Sequence, residues 1–321
     1  MAYTTIDKPS DYFETTTYAG GTTAITSLDF SPDWVWAKKR DGAESHGLFD
    51  SVRGATKDLR SDSTNAESTR SGSLTSFDSN GWSMGGSDGI ISASGSTYVA
   101  WAWRGSDSSA VSNTNGSITS TVSANTTSGF SIVSYTGNAT NGATVGHGLS
   151  SAPQMVITKS RGGTSNWQVL TNIYPNYSEG DYINLNEAGA KANSANVSFL
   201  PTSTTWQMKS GQAGNTSGTK IAYCFHSVQG FSKFGSYTGN GNADGPMTFT
   251  GFKPAFIIVK RTDSASAGNW QLVDNKRSPF NVAVNTLSPD ASDAEYTSET
   301  DIDMLSNGFK IRENAQINVS G

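Results

Sequence analysis

Phe13-Glu-Thr-Thr-Thr-Tyr18-Ala-Gly20 leads into Pro32-Asp-Trp-Val-Trp-Ala-Lys38, and this pair of phrases occurs three times. It returns as Phe130-Ser-Ile-Val-Ser-Tyr135-Thr-Gly137 with Pro153-Gln-Met-Val-Ile-Thr-Lys159. It returns again, the first phrase one residue longer, as Phe231-Ser-Lys-Phe-Gly-Ser-Tyr237-Thr-Gly239 with Pro254-Ala-Phe-Ile-Ile-Val-Lys260. Trp82-Ser-Met84, Trp206-Gln-Met208 and Phe309-Lys-Ile311 hold the same late slot in their copies. Landmarks recurring about every hundred residues are too widely spaced for a solenoid and suit one small domain per copy. The chain divides into a first module over 1–105, a Ser/Asn-rich linker over 106–117, a second module over 118–229 and a third over 230–321.

The copies carry strand signals. Tyr98-Val-Ala-Trp101-Ala-Trp103 alternates large and small, with Val99, Trp101 and Trp103 on one face and Ala100 and Ala102 on the other. Ile221-Ala-Tyr223-Cys224-Phe225 repeats that order, so Cys224 falls where the first copy has Ala102 and reads as a small buried residue. The strand after each proline is apolar on both faces, which places it inside a sheet covered on both sides. The fold class expected is all-β: three tandem related antiparallel β-sandwich-like modules. The one helix candidate, around Asn186-Glu-Ala-Gly-Ala-Lys191, is shortened or abolished by Gly189. The linker predicts a first module that leans independently, whereas Val228-Gln-Gly230 predicts a rigid pair of second and third modules. In register, Ser320-Gly321 matches Ser94-Gly95, so the third module lacks its last strand and exposes an edge. A chain that continues past Gly321 is the favoured source of that strand, ahead of a neighbouring chain.

Of the 321 residues, 15% are charged and the net charge is −5, with no run of Lys or Arg. Nucleic acid is therefore not expected as a partner. No apolar core of a signal peptide and no run of eighteen apolar residues occurs, so neither a leader nor a membrane span is expected. One cysteine allows no internal disulfide. Loops rich in Ser, Thr, Asn and Gly suit a surface-exposed particle protein that folds in a cytosol and is exposed later.

Candidate chemistry is sparse. Gly85-Gly-Ser87-Asp-Gly89 fits the nucleophile-elbow pattern, but no helix signal follows the serine. His46, His147 and His226 have no metal-ligand spacing, so no metal and no cofactor are expected. His46 stands where the other copies have Trp167 and Trp270 and reads as a packing residue. Asp50-Ser-Val-Arg53 and Asp274-Asn-Lys-Arg277 repeat an Asp-x-x-Arg pair that the second copy replaces with Thr171 and Tyr174. Asp50, Arg53, Asp274 and Arg277 are candidate interaction or turn-closing residues, with the turn the favoured role. Asp301 and Asp303 read as solvated acids rather than a glycosidase couple or calcium ligands. Trp34, Trp36, Trp101 and Trp103 read as core before sugar-stacking platform.

Tyr3-Thr-Thr-Ile-Asp-Lys-Pro-Ser-Asp-Tyr-Phe13, Leu48-Phe-Asp-Ser-Val-Arg-Gly54, Thr97-Tyr-Val-Ala-Trp-Ala-Trp103 and Asn269-Trp-Gln-Leu-Val-Asp-Asn-Lys-Arg277 together resemble a family of uncharacterised structural proteins of marine tailed bacteriophages. The resemblance covers nearly the whole chain. It implies a virion protein and carries over no catalytic residue. Members of that family usually run on past the position of Gly321 into a Tyr/Ile-rich strand. The expectation is thus a non-enzymatic fibre, spike or capsid-surface component located in the virion. Its expected partners are other virion subunits, copies of itself in a homo-oligomer, and a host-surface glycan. A carbohydrate-binding array and a glycan-degrading or esterase enzyme are the alternatives.

Overall fold

The computed structural model describes residues 4–263, 268–297 and 301–320. Among them there is no α-helix, only strands and two short 3-10 turns at Pro9–Asp11 and Gln316–Asn318. The protein is all-β and its named strand pairs are antiparallel.

The first lobe holds β1 (Phe13–Ala19), β2 (Ala24–Ile25), β3 (Trp34–Lys39), β4 (Gly47–Asp50), β5 (Lys57–Asp58), β6 (Ser68–Thr69), β7 (Leu74–Asp78), β8 (Gly81–Met84) and β9 (Thr97–Trp103). Its main sheet runs β1-β9-β3-β4 and its minor sheet β2-β8-β7. Val35, Ala37, Phe49, Ala100 and Ala102 of the main sheet meet Ile25, Leu74, Trp82 and Met84 of the minor one in a common core. This is the two-layer solution by which a sheet hides its apolar face.

The second lobe holds β10 (Val111–Asn113), β11 (Ser120–Asn125), β12 (Phe130–Gly137), β13 (Ala143–Gly146), β14 (Met155–Ser160), β15 (Gln168–Thr171), β16 (Asp181–Asn184), β17 (Ala192–Asn193), β18 (Leu200–Pro201), β19 (Thr205–Met208) and β20 (Gly218–Phe225). Its main sheet runs β10-β11-β12-β20-β14-β15-β16-β17, and its minor sheet is β13-β19-β18. Val133, Val156, Leu170, Ala222 and Cys224 pack with Val145, Trp206 and Met208. The third lobe holds β21 (Met247–Phe249), β22 (Phe256–Val259), β23 (Gln271–Asp274), β24 (Ile302–Leu305) and β25 (Gly308–Ile311). Here the minor sheet β21-β25-β24 is present, but the main sheet is reduced to β22-β23.

The alternation read in the sequence decides which face goes where. Ala100, Ala102, Ala222 and Cys224 point into the core of their own lobe. Val99, Trp101, Ile221, Tyr223 and Phe225 point the other way, into a central cluster that also takes Trp34, Trp36, Trp167, Trp270, Leu272 and Leu287. The lobes therefore share one core across their main sheets. Trp34 stacks on Tyr223 with ring centroids 4.2 Å apart, joining the first lobe to the second.

Two expectations are corrected. Residues 106–117 are not a free linker, because Val111–Asn113 form β10 and pair with β11. The buried Asp33 carboxylate accepts the Gly105 N–H at 2.8 Å and the Ser123 hydroxyl at 3.2 Å, pinning the junction. The first lobe does not lean independently, since its tryptophans are part of the shared core. The segment 186–191 is not helical, in line with the reading of Gly189: the Asn186 side chain accepts the Trp167 N–H at 2.7 Å, and an amide committed to closing a turn competes with a helix. The phrase Phe231–Gly239, matching β1 and β12, forms no strand of any sheet. Both of those strands pair with a later strand of their lobe, β9 and β20, and among the described residues no third-lobe strand runs beside 231–239.

The two faces of β20 set unlike tolerances. Cys224→Ala copies the residue of the first lobe and is expected to change stability by less than about 1.5 kcal/mol. Tyr223→Ala is expected to cost roughly 3–5 kcal/mol, the range of a large aromatic deleted from a core. Chemical denaturation of the two variants checks this, and comparable losses would refute the assignment of faces.

Candidate functional site

The Asp-x-x-Arg pairs lie where lobes meet, not at the surface. The Asp50 carboxylate closes its turn by accepting the Arg53 N–H at 2.8 Å and binds the Arg53 guanidinium through its other oxygen. Asp274 does the same for Arg277, at 2.9 Å to the N–H and 2.6 Å to the guanidinium. All four side chains are fully buried. Their burial rules out a ligand role toward a free sugar, and they perform a turn-closing job together with one across the lobe boundary.

That second job repeats around the molecule. Asp50 accepts the Tyr223 hydroxyl of the second lobe at 2.8 Å, and Asp274 accepts the Trp101 indole N–H of the first lobe at 3.1 Å. Tyr223 and Trp101 hold the same place in β20 and β9. Glu67 bridges Arg53 and the second lobe's Arg161 at 3.2 and 2.8 Å; Glu295 bridges Arg277 and the first lobe's Arg40 at 2.9 and 2.7 Å. The second lobe's version faces the third lobe and is different: Thr171 and Tyr174 replace Asp and Arg, and Lys191 replaces Glu, its ammonium 5.5 Å from the Tyr174 ring centroid. The backbone contact is kept in all three places, with Glu67, Lys191 and Glu295 donating N–H to the carbonyls of Arg161, Thr262 and Arg40.

Further bonds run round the same ring. The Trp167 indole donates to the Arg60 carbonyl of the first lobe at 2.7 Å, and the Trp270 indole to the Asn184 carbonyl of the second at 3.0 Å. His46 Nε2 lies 2.9 Å from the Ser288 carbonyl of the third lobe. The three contacts have equivalent partners, so lobe three closes back on lobe one. His46 also accepts the Trp36 indole N–H on Nδ1, which makes Nε2 the donor. Burial holds its pKa well below the usual value, consistent with a neutral packing residue.

The lysines that end the post-proline strands were recurrent in the sequence but carried no reading there. Lys159 donates to the Thr64 and Ser165 carbonyls at 2.8 and 2.7 Å, and Lys260 to Ala188, Arg261 and Gly268 at 2.9, 3.1 and 2.8 Å. Each reaches into the preceding lobe. Burial pushes Lys38, Lys159 and Lys260 down to about 8. Such groups can signal a catalytic base. Lys159 and Lys260 are instead spent on backbone carbonyls that a lobe boundary would otherwise leave dry.

The remaining candidates are scattered. Ser87 is exposed on a loop with no helix after it. Asp303 pairs with Arg312 at 3.2 Å on β24. Seven of the eight tryptophans are buried and Trp103 is partly buried. An open concavity is lined by Asp29, Asp33, Arg104 and Asp107, but Asp29 is paired with Lys8 at 3.0 Å and Asp33 is the buried junction acceptor. A second is lined by Thr126, Thr127 and His226. Among the described residues no group of His, Cys, Asp and Glu is placed to hold a metal ion, and no helix is long and apolar enough to cross a membrane.

A Domain of unknown function, DUF7483, matches residues 8–321. The chain belongs to the DUF7483 family. No curated protein and no solved structure matches the chain.

Two variants test the boundary. Asp274→Ala leaves the Arg277 guanidinium buried without its partner and is expected to cost about 3–5 kcal/mol. The double change Asp50→Thr with Arg53→Tyr, copying the second lobe, is expected to cost less than Asp50→Ala alone, by denaturant unfolding of both. Asp290 generates a pH signature. Its carboxylate accepts the Trp270 N–H at 3.0 Å, as Asn186 does for Trp167, and burial raises its pKa to about 6. The folded protein then binds a proton between about pH 4 and 6 that the unfolded chain releases, so this group lowers stability as pH rises through that window. Asp290→Asn is expected to match wild type near pH 4 and to exceed it by roughly 3 kcal/mol at pH 8, about two pKa units at about 1.4 kcal/mol each. A difference that stays flat from pH 4 to 8 would refute the cause given.

Proposed function

We propose that the protein is a structural component of a tailed-bacteriophage virion, a fibre, spike or capsid-surface element that presents surface and catalyses no reaction. One observation carries the proposal: all eight tryptophans lie in or against the shared core or a lobe's own core, and the buried Asp50, Arg53, Asp274 and Arg277 are consumed in joining the lobes, while loops rich in Ser, Thr and Asn lie outside. The resemblance described above supplies the virion setting. In this reading the loops meet neighbouring virion subunits or a host-surface glycan, and repetition in a homo-oligomer multiplies weak contacts. A tryptophan-based sugar platform has little to recommend it, because stacking needs open ring faces and these are packed. Catalysis needs a nucleophile or paired acids convergent in one cleft, and the candidates here are dispersed or engaged.

Mass spectrometry of purified particles, with antibody-labelled electron microscopy, is expected to find the protein in mature virions at many copies per particle. Its absence from mature particles would overturn the proposal.

A further inference from the structure

The three minor sheets share an edge strand that is finished differently in each lobe. Ile25, Val145 and Thr248 stand opposite Trp82, Trp206 and Phe309, so β2, β13 and β21 are equivalent. The second lobe covers this edge with its own chain. The Ser117 hydroxyl accepts the Thr144 N–H, and the Ile118 N–H donates to the Thr144 carbonyl, both at 2.9 Å. The Ser120 hydroxyl donates to the Gly146 carbonyl at 2.9 Å. In the first lobe the edge strand is only two residues long, and the Asn80 side-chain amide caps the Thr26 carbonyl at 2.9 Å. Short or covered edges are how a sheet avoids pairing with a stranger.

Among the described residues β21 has no such cover. The Ile311 N–H donates to the Pro246 carbonyl and the Thr250 N–H to the Asn307 carbonyl, so positions 246, 248 and 250 turn their main-chain groups toward β25. Met247 and Phe249 turn theirs away, to the open edge, where no described residue bonds to them. Their side chains are 42% and 64% exposed, at the places of Thr144 and Gly146 in the second lobe. Between them the Thr248 hydroxyl is buried without a hydrogen-bond partner, where the other lobes carry Ile25 and Val145. β20 ends at Phe225 and the third lobe's first phrase opens at Phe231, so no upstream loop is free to lie on β21 as 117–120 lies on β13.

We propose that β21 pairs edge to edge with β21 of a second copy of this chain, antiparallel about a two-fold axis at Thr248, joining two minor sheets into one. The edge is self-complementary in that register. Met247 of each copy lies opposite Phe249 of the other and exchanges two main-chain hydrogen bonds with it. Thioether and ring then meet on the outer face. The two Thr248 side chains stand opposite each other on the inner face, where each hydroxyl gains the partner it lacks. The ends match in charge. Asp244, 79% exposed, comes to the end of the other copy's strand, where Lys253 is exposed and forms no ion pair with any described residue. A strand this short buries less than a standard interface, so the pairing is weak alone and gains from repetition in an assembly. The inference deepens the homo-oligomer of the function proposed above and rests on that part of it, not on the virion setting.

The test places Thr248→Cys in the full chain, whose own Cys224 is buried. Opposed residues of this kind sit about 4.5 Å apart between Cα atoms, within disulfide range. Mild oxidation is expected to yield a covalent dimer at least tenfold faster than with Phe280→Cys, a site 83% exposed and off the edge. Adding Phe249→Lys, a charge of the kind that blunts edge strands, is expected to slow the Thr248→Cys reaction at least tenfold. In the unchanged chain, amide exchange at Met247 and Phe249 is expected to slow as protein concentration rises. Crosslinking through Thr248→Cys no faster than through Phe280→Cys, or indifferent to Phe249→Lys, would overturn the proposal. Exchange at Met247 and Phe249 that ignores concentration would overturn it too, and this measurement decides alone should Thr248→Cys fail to fold. All of these read the purified protein. A chain that stays monomeric yet is found in virions therefore refutes the edge pairing alone, and a dimer absent from virions refutes the virion setting alone.

Discussion

The structure depends on one packing event, the burial of large side chains from three main sheets against each other. A two-layer sandwich normally turns its apolar face to its own second sheet and its other face to water. In this protein the central strands β3, β9, β14 and β20 are largely buried on both faces, so a lobe isolated from the others would expose Trp34, Trp36, Trp101 or Tyr223 and their neighbours. An apolar patch of that size drives association. The shared core therefore explains why the lobes form one body despite being sequence repeats, a form in which domains often stay loosely coupled.

Burying such faces also traps backbone and charge at the lobe boundaries. The response is a repeated polar cassette: an aspartate that closes a turn, holds an arginine and accepts a donor from the next lobe, with a glutamate tying in a second arginine. Buried ion pairs are costly to desolvate and add little net stability over apolar packing. Their value here is directional, because each cassette accepts a partner from one lobe and orients it. The boundary between the second and third lobes carries Thr171, Tyr174 and Lys191 in place of the charged cassette, and the backbone bond from Lys191 to Thr262 is kept there.

Much of this was legible from residues alone. The phrase after each recurring proline marked the strands β3, β14 and β22, and the Tyr98–Trp103 alternation marked a strand with unlike faces. Other features were not legible. Residues 106–117 read as linker because Ser and Asn dominate, yet Val111 lands beside Val122 and pairs. Asp50 and Arg53 read as a local turn, which they close, but local sequence carries no information about Tyr223, which is distant in the chain. The lysines at 38, 159 and 260 were visible as a recurrence, but their acceptors are backbone carbonyls, which no side-chain pattern reports.

By itself the sequence determined the local events: where strands form, which of their faces are large, where turns close, and that the same unit is written three times. Those follow from periodicity and from groups a few residues apart. The tertiary structure alone decided which lobe each large face would meet, that the third lobe returns to the first, and that the candidate residues are buried joints. Such outcomes depend on surfaces brought together across hundreds of residues, where complementarity of shape and the need to satisfy every buried polar group select the partner.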